Sequence, residues 1–476
     1  MASIAPSSGW SELPADVLAT VFEGLTIRDL IRADAVCRWW NAASSYVRGH
    51  PRVLSRHQTP CLLYTSASSS SSGTATLYSI TDQRSYAVPF TGTITIPGDF
   101  WLDASHGWLV TADDRAKLRL VNPVTGRRID SLPPVSAIEQ VRLVHDDDSG
   151  AVVADTYQVY PYDWSLRVDE LVTSTRPSRL AKYLYIRALI SSDPSDGDGD
   201  CVVVLIHRPD NQLSFARSGD ARWTWIRTPP GNTEYCDCAF DGDGGTTLYA
   251  KRHDGAIHAF DLHDRPTLAR KVVLCPQVQV KKKTTNYLLH APWLCSWLQV
   301  WRTMEPAEPD AAATNEPYDD VWKTESIKVY QVDLAAQTLI EIKDLGDHAL
   351  FVGCNYSFSL TANDCTGILP NHCPRDIGVY NVGDGSFHDI QPSCPWSNWP
   401  LPSWIMPSLA YKRESVDNMT NKLLMEELDG CISAQIPVLA IEENYEGRSP
   451  KSYMNRDNAL NAHGSALVVK LQILYF

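Results

Sequence analysis

Apolar residues follow two different rhythms along the chain. Up to about residue 50 they recur at helical spacing; beyond residue 60 they sit in short alternating runs broken by turn residues. In the first stretch Val17, Leu18, Val21, Phe22 and Leu25 repeat at intervals of three and four. Pro14 before them suits the first turn of a helix, where its missing N–H has no partner to lose. Thr26 reads as the N-cap of a second helix, with Asp29 three residues on completing a box-like start and Leu30, Ala33 and Val36 following. Cys37 to Tyr46 reads as a third. Three short helices enclose little volume, so part of this apolar surface calls for a partner beyond the helices themselves. An ordinary helical cap packed on the rest of the chain satisfies the same periodicity.

The second stretch repeats one phrase: an alternating strand, a polar or Asx turn, then another strand. Its copies begin at Leu77-Tyr78-Ser79-Ile80, Leu118-Arg119-Leu120-Val121, Leu213-Ser214-Phe215, Ile257-His258-Ala259-Phe260-Asp261, Ile327-Lys328-Val329-Tyr330-Gln331-Val332 and Ile377-Gly378-Val379-Tyr380-Asn381-Val382. The starts lie 41, 95, 44, 70 and 50 residues apart. The interval of 95 is near twice the unit, and Trp164-Ser165-Leu166-Arg167-Val168 fits the skipped position. The interval of 70 contains the Pro- and acid-rich stretch Glu305 to Asp320, which reads as a surface insertion. A period of about 40–50 residues built of short strands points to a β-propeller of six or seven blades. A β-sandwich, or a pair of irregular β domains, is the competing architecture. Helical periodicity of useful length is next met only at Asn421-Lys422-Leu423-Leu424-Met425.

Composition narrows the chemistry. The 476 residues are 44% hydrophobic and 21% charged, ordinary values for a globular protein. A net charge of −14 argues against a nucleic-acid binder, and Lys281-Lys282-Lys283 is the single compact basic run. Met1 to Trp10 has no apolar core of the kind a signal peptide needs, and no run is long enough to span a bilayer, so cytoplasm, nucleus or both is the expected location and no membrane partner is expected. The twelve cysteines are then expected as free thiols. No P-loop, dinucleotide fingerprint, nucleophile elbow or zincin motif occurs. Asp196-Gly197-Asp198-Gly199-Asp200 and Asp241-Gly242-Asp243-Gly244-Gly245 resemble calcium loops, but their twelfth positions are His207 and Arg252, so turns between strands are the better reading. Cys236 and Cys238 lack a second pair at zinc spacing. His106, His207, His290 and His348 have no nucleophile beside them. No metal, cofactor or catalytic group is therefore expected.

The string Leu13-Pro14, Val17-Leu18, Val21-Phe22, Leu25, Asp29-Leu30 and Val36-Cys37-Arg38-x-Trp40, within Trp10 to His50, resembles the F-box, the motif that docks on the Skp-type adaptor of cullin–RING ubiquitin ligases. The resemblance implies an adaptor-facing or helix-packing role for Leu13, Pro14, Leu18, Phe22, Leu25, Leu30, Val36, Cys37 and Trp40, without separating the two roles. Three further segments resemble the KIB-type β-propeller of plant F-box proteins. They are Ser105-His106-Gly107-Trp108-Leu109-Val110 with Leu120 to Gly126 and Leu132-Pro133-Pro134; Leu345 to Gly353 leading into Ser357-Phe358-Ser359-Leu360; and Trp404-Ile405-Met406-Pro407-Ser408-Leu409. Where that family continues with an aromatic, acid-rich strand, this chain has Asn371-His372-Cys373-Pro374-Arg375-Asp376.

The expected architecture is α+β and multidomain: a three-helix F-box over 9–50, an all-β propeller over 51–410 with a Ser-rich loop at 66–73 and an insertion at 303–321, and a tail over 411–476. In the tail Met419 to Leu428 reads as disordered or loosely helical, and the apolar run Ser465 to Phe476 reads as a closing strand or a poorly ordered appendage. The function implied is a non-catalytic substrate receptor that binds the Skp-type adaptor, and through it cullin, and presents the propeller to an unknown target protein. The rivals are a scaffold that ubiquitinates nothing and a propeller hosting a hydrolase or lyase site.

Overall fold

The computed structural model describes residues 13–48, 59–65, 74–80, 83–89, 100–145, 152–159, 173–175, 177–195, 201–228, 234–242, 245–263, 271–274, 284–306, 322–353, 355–361, 377–390, 402–408 and 467–469. Three helices open the fold: α1 (Ala15–Glu23), α2 (Ile27–Asp34) and α3 (Arg38–Arg48). Pro14, in extended conformation, stands at the N-cap of α1, and the Thr26 hydroxyl accepts the Asp29 amide at 3.3 Å to cap α2, as the sequence predicts. Leu18, Ala19 and Phe22 of α1, Ile27, Leu30 and Ala33 of α2, and Ala43 and Val47 of α3 fill the small interior between them. An ion pair of Arg48 with Asp34, both largely shielded, ties α3 to α2.

The strands follow in successive antiparallel meanders. The first runs β1 (Cys61–Tyr64), β2 (Thr74–Ser79), β3 (Arg84–Pro89), and the next β4 (Phe100–Ser105), β5 (Trp108–Ala112), β6 (Leu118–Val121), β7 (Arg128–Ile129). A three-stranded sheet comes next: β8 (Val141–His145), β9 (Val152–Val159), β10 (Thr173–Thr175). It is followed by a fourth helix, α4 (Pro177–Leu184). Three more meanders are β11 (Tyr185–Ile190) to β14 (Thr224–Ile226) through β12 (Val202–His207) and β13 (Gln212–Arg217); β15 (Tyr235–Phe240) to β18 (Lys271–Leu274) through β16 (Thr247–Arg252) and β17 (Ile257–Asp261); and β19 (Thr284–Ala291) to β22 (Thr338–Ile342) through β20 (Ser296–Pro306) and β21 (Trp322–Asp333). The last sheet contains β23 (His348–Phe351), β24 (Phe358–Thr361), β25 (Gly378–Asn381) and β26 (Phe387–Asp389). β27 (Ser403–Ile405) returns to pair with β1, Trp404 opposite Leu62, so the strand that follows β26 completes the first sheet. β28 (Leu467–Val469) lies between β23 and β25.

Inner strands stand side by side: β27 by β4, β4 by β11, β11 by β15, β15 by β19, and β19 by β24. Apolar clusters bridge neighbouring sheets, Trp108 inside the one joining the β4 and β11 sheets and Trp404 inside the one joining the first and last. This is an all-β propeller behind an N-terminal helical region.

The repeat spacing predicts a propeller of six or seven blades. Among the described residues five sheets have the complete four-stranded form, one has three strands and one has five. The long interval of 95 explains the first exception. It carries the β8–β10 sheet and α4, whose Leu180 and Leu184 pack into the cluster shared by the β4 and β11 sheets. β4 meets β11 directly, and Val141 and Val159 of the three-stranded sheet join the same cluster. Helix α4 was not anticipated, because eight residues starting at Pro177 offer only Leu180, Ala181 and Leu184 as an apolar face.

All six copies of the repeated phrase fall on the penultimate strand of a sheet: β2, β6, β13, β17, β21 and β25. In four of them an Asx side chain organises the next turn. Asn122 Oδ1 accepts the amides of Val124 and Thr125, and Asp261, Asp333 and Asn381 do the same for residues two or three ahead. Within the stretch read as an insertion, residues up to Pro306 continue β20, with Pro306 opposite Trp322. Residues 66–73, 164–168, 307–321, 371–376 and 419–428, for which loops, strands or a helix were expected, lie outside the described residues.

Candidate functional site

The helical region divides the predicted adaptor residues by position. Leu18, Phe22 and Leu30 are 0–1% exposed and form the interior of the trio. Leu13, Leu25, Cys37 and Trp40 are half-buried around its edge, Trp40 meeting the Phe22 ring edge-on at 5.3 Å. Pro14 and Val36 are exposed, Val36 at 60%. The reading of the sequence missed two members of the open face, Val17 at 42% and Val21 at 48%. The signal was present: Pro14, Val17, Val21 and Leu25 recur at three, four and four, a stripe one residue out of step with the buried Leu18–Phe22 stripe. α1 is thus apolar on two adjoining faces, and its own domain covers only one. The other face carries Val17 and Val21, and Val36 just past α2 is exposed as well; these branched aliphatic side chains can bury against a complementary protein surface but offer no group for chemistry.

The trio is seated on the propeller through the β6–β7 turn. Val124, held there by the Asn122 side chain, packs against both the helical core and the cluster shared by the first two meanders. Asn122 Nδ2 in turn donates to the Ser408 carbonyl at 3.0 Å, fixing the turn to the segment that follows β27.

A second constellation lies where the inner strands converge. β4, β11 and β15 each carry a bulge two residues after an aromatic, at Trp101-x-Asp103, Tyr185-x-Arg187 and Tyr235-x-Asp237. The bulge re-aims the third residue, and the three charged side chains meet. Arg187 contacts Asp103 Oδ2 through Nε at 3.2 Å and Nη2 at 3.1 Å, Asp237 Oδ1 through Nη1 at 2.8 Å, and the Asn355 carbonyl through Nη2 at 2.6 Å. Asp237 Oδ2 accepts the Leu288 amide of β19 at 2.7 Å, and the Tyr356 amide donates to the Ala104 carbonyl at 2.9 Å. One guanidinium therefore links the inner strands of three meanders to the segment after β23. Burial raises the Asp103 carboxyl to about 7; Arg187 opposes the rise and the Asp237 charge adds to it. Burial also raises Asp237, against Arg187. Two carboxylates facing one guanidinium share its charge, so a proton on the pair relieves the excess negative charge.

Nearby, Lys251 is fully buried, its Nζ donating to the Arg252 carbonyl at 3.1 Å and lying 5.3 Å from the centre of the Trp301 ring. Burial lowers its pKa and raises that of Cys236, whose sulfur is 3.8 Å from Nζ. Of the histidines singled out by the sequence, His207 is buried between the Arg208 carbonyl at 2.9 Å and the Ser214 hydroxyl at 2.8 Å. Nδ1 must donate to the carbonyl, which leaves Nε2 to accept from Ser214. Burial lowers its pKa to about 4. His106 stacks on Tyr356, His290 lies against Trp297 and His348 stacks on Trp293 at 4.0 Å, so each is a packing ring. Among the described residues no group of His, Cys, Asp and Glu is arranged to hold a metal.

The architecture defines a class: helices with an open apolar ridge mounted on a propeller. Family models agree, an F-box-like model matching residues 10–47 and the KIB1-4 beta-propeller matching residues 77–381. The chain belongs to the KIB1-4 β-propeller family, with an F-box-like region ahead of the propeller. It is similar to F-box protein SKIP23 of Arabidopsis thaliana, 25% identical over 83% of this chain and 95% of that protein. It is also similar to F-box protein At5g25290 of the same plant, 28% identical over 76% of this chain and 85% of the other. Among solved structures Kluyveromyces lactis Hsv2 aligns over 56% of this chain and 94% of that one, at 9% identity and a TM-score of 0.23, a likeness too slight to inform the fold.

Proposed function

We propose that this protein is the substrate-recognition subunit of an SCF-type cullin–RING ubiquitin ligase, non-catalytic in itself. The observation that carries the reading is the set Pro14, Val17, Val21 and Val36, apolar and exposed, with Leu25 half-buried at the end of the α1 stripe. A Skp-type adaptor supplies the surface this ridge lacks, and Leu18, Phe22 and Leu30 support it from beneath. Desolvating such a ridge is the main source of affinity in an apolar interface core. Cullin is then recruited through the adaptor.

The ring we infer has six blades: the five complete meanders and the last, five-stranded sheet, with the β8–β10 sheet set against its outside. Alternate turns of a meander lie at opposite ends. The β6–β7 turn, with Val124, marks the end that carries the helices. The β5–β6, β12–β13 and β16–β17 turns mark the other. They are joined there by contacts from Tyr185 to Ala116, from Glu234 to Asp210 and from Asn286 to His253. The strands flanking residues 66–73 and 307–321 also end there. We place target recognition at that far end, where a bound protein is held clear of the adaptor and its lysines are brought to the ubiquitin-charged enzyme at raised effective concentration.

Co-purification from plant cells tests the reading. The native chain is expected to bring down adaptor and cullin, and V17D/V21D neither. Retention of both by V17D/V21D overturns the assignment.

A further inference from the structure

The last sheet breaks a rule obeyed by the four sheets built wholly of consecutive strands, β4–β7, β11–β14, β15–β18 and β19–β22. In those, strands adjacent in the chain are adjacent in the sheet; here β23 pairs with β24 but not with β25, and β28 stands between them. Sequence explains the gap. Residues 362–376, which link β24 to β25, hold no strand-forming run: Asn363-Asp364, Thr366-Gly367, Pro370-Asn371 and Cys373-Pro374 punctuate them, and Ile368-Leu369 stops at Pro370. Some ninety residues further on, Leu467-Val468-Val469 within Ser465 to Ile473 is rich in β-branched and aliphatic residues.

We propose that the space between β23 and β25 is a strand-accepting site, and that the chain fills it in cis with its own C-terminal segment, Leu467–Val469, as a replacement for the strand the local sequence does not provide. The proposal stands apart from any ligase role. Left empty, the site exposes the hydrogen-bonding edges of two strands, β23 and β25, whose Ala349, Phe351 and Val379 belong to the cluster that closes the ring against the first sheet. The segment matches both edges. It runs antiparallel to β25, with Val469 opposite Val379, Val468 opposite Tyr380 and Leu467 opposite Asn381, and parallel to β23, with Val469 opposite Phe351. Recognition is by main-chain hydrogen bonds, the mode of strand addition, so the ligand class is an extended apolar segment.

Register makes the proposal testable in the full chain. V379C/V469C puts the two cysteines at directly paired register positions, whereas V379C/V468C puts them one position out of register. Mild oxidation followed by peptide mapping is expected to show a 379–469 link within one molecule at least tenfold more often than a 379–468 link. Hydrogen exchange at residues 379–381 is expected to quicken at least tenfold in V468P/V469P while residues 203–206 of β12 keep their protection. Equal linking of the two cysteine pairs, a 379–469 link between two molecules, or unchanged exchange in the proline variant each overturns the proposal.

Discussion

The indole Nε1 of Trp39 donates to the main-chain carbonyl of Leu13 at 2.8 Å, twenty-six residues away in the chain. This bond fastens the entry of α1, and with it Pro14, to the start of α3, and so sets where the exposed stripe begins. W39F keeps most of the ring and loses the donor. The expected cost is about 1 kcal/mol, as for an ordinary hydrogen bond, read as a lowered melting point with a modest loss of adaptor affinity. Unchanged stability shows that the bond does not hold the helix entry.

Core and ridge of the helical trio separate experimentally. L18A or F22A opens a cavity between the helices and is expected to cost about 2–5 kcal/mol, with adaptor binding lost as a consequence of unfolding. V17D and V21D lie on the open face and are expected to change stability by no more than about 0.5 kcal/mol. Circular dichroism melts of the four variants check the division.

Arg187 is expected to be the residue of the propeller least tolerant of change. R187M leaves two buried carboxylates facing each other and an unpaired Asn355 carbonyl, at an expected cost of about 3–5 kcal/mol. R187K does not restore the native value, since an ammonium lacks the fork that reaches three partners at once. Chemical denaturation of both variants measures this.

The pH response has a predictable sign. Between about pH 4 and 7 Asp103 is protonated in the folded chain and ionised in the unfolded one. The folded state holds the extra proton, and stability falls as pH rises through that window by up to about 1.4 kcal/mol per unit. His207, neutral when folded down to about 4, works the other way: the unfolded chain takes up the proton first, so stability is lost as pH falls from about 6.5. D103N removes only the first effect. The stability of the native chain minus that of D103N is therefore expected to decline from pH 5 to 7 and flatten above 8. A constant difference contradicts the assignment.

Much of this was legible in the sequence because local chemistry sets it. Thr26 and Asp29 announce a helix start, and Asn122, Asp261, Asp333 and Asn381 announce the turn after four of the six penultimate strands on which the repeated phrase falls. The division of the helical face was harder. Leu18 and Val17 are adjacent and equally apolar, and only the packing of α3 against α1 decides that Leu18 is interior and Val17 is not. The convergence on Arg187 was invisible, because Asp103, Arg187 and Asp237 lie in three sheets and their bulges are a property of strand pairing; the aromatic-x-charged spacing shared by β4, β11 and β15 was its one trace. The apolar run Ser465 to Phe476, read as a closing strand or an appendage, contains β28, but its pairing of Val469 with Val379 across ninety residues is reported by no local pattern.

The central claim is that the exposed stripe of α1, with Val36, is the adaptor-binding surface. Titration calorimetry of purified Skp-type adaptor against the native chain and against V17D/V21D/V36D tests it most directly, each chain checked by its melt. Saturable one-to-one binding by the native chain, weakened at least a hundredfold in a variant that melts as the native does, is the result predicted. Equal affinity of the two, or no binding by a folded native chain, contradicts it.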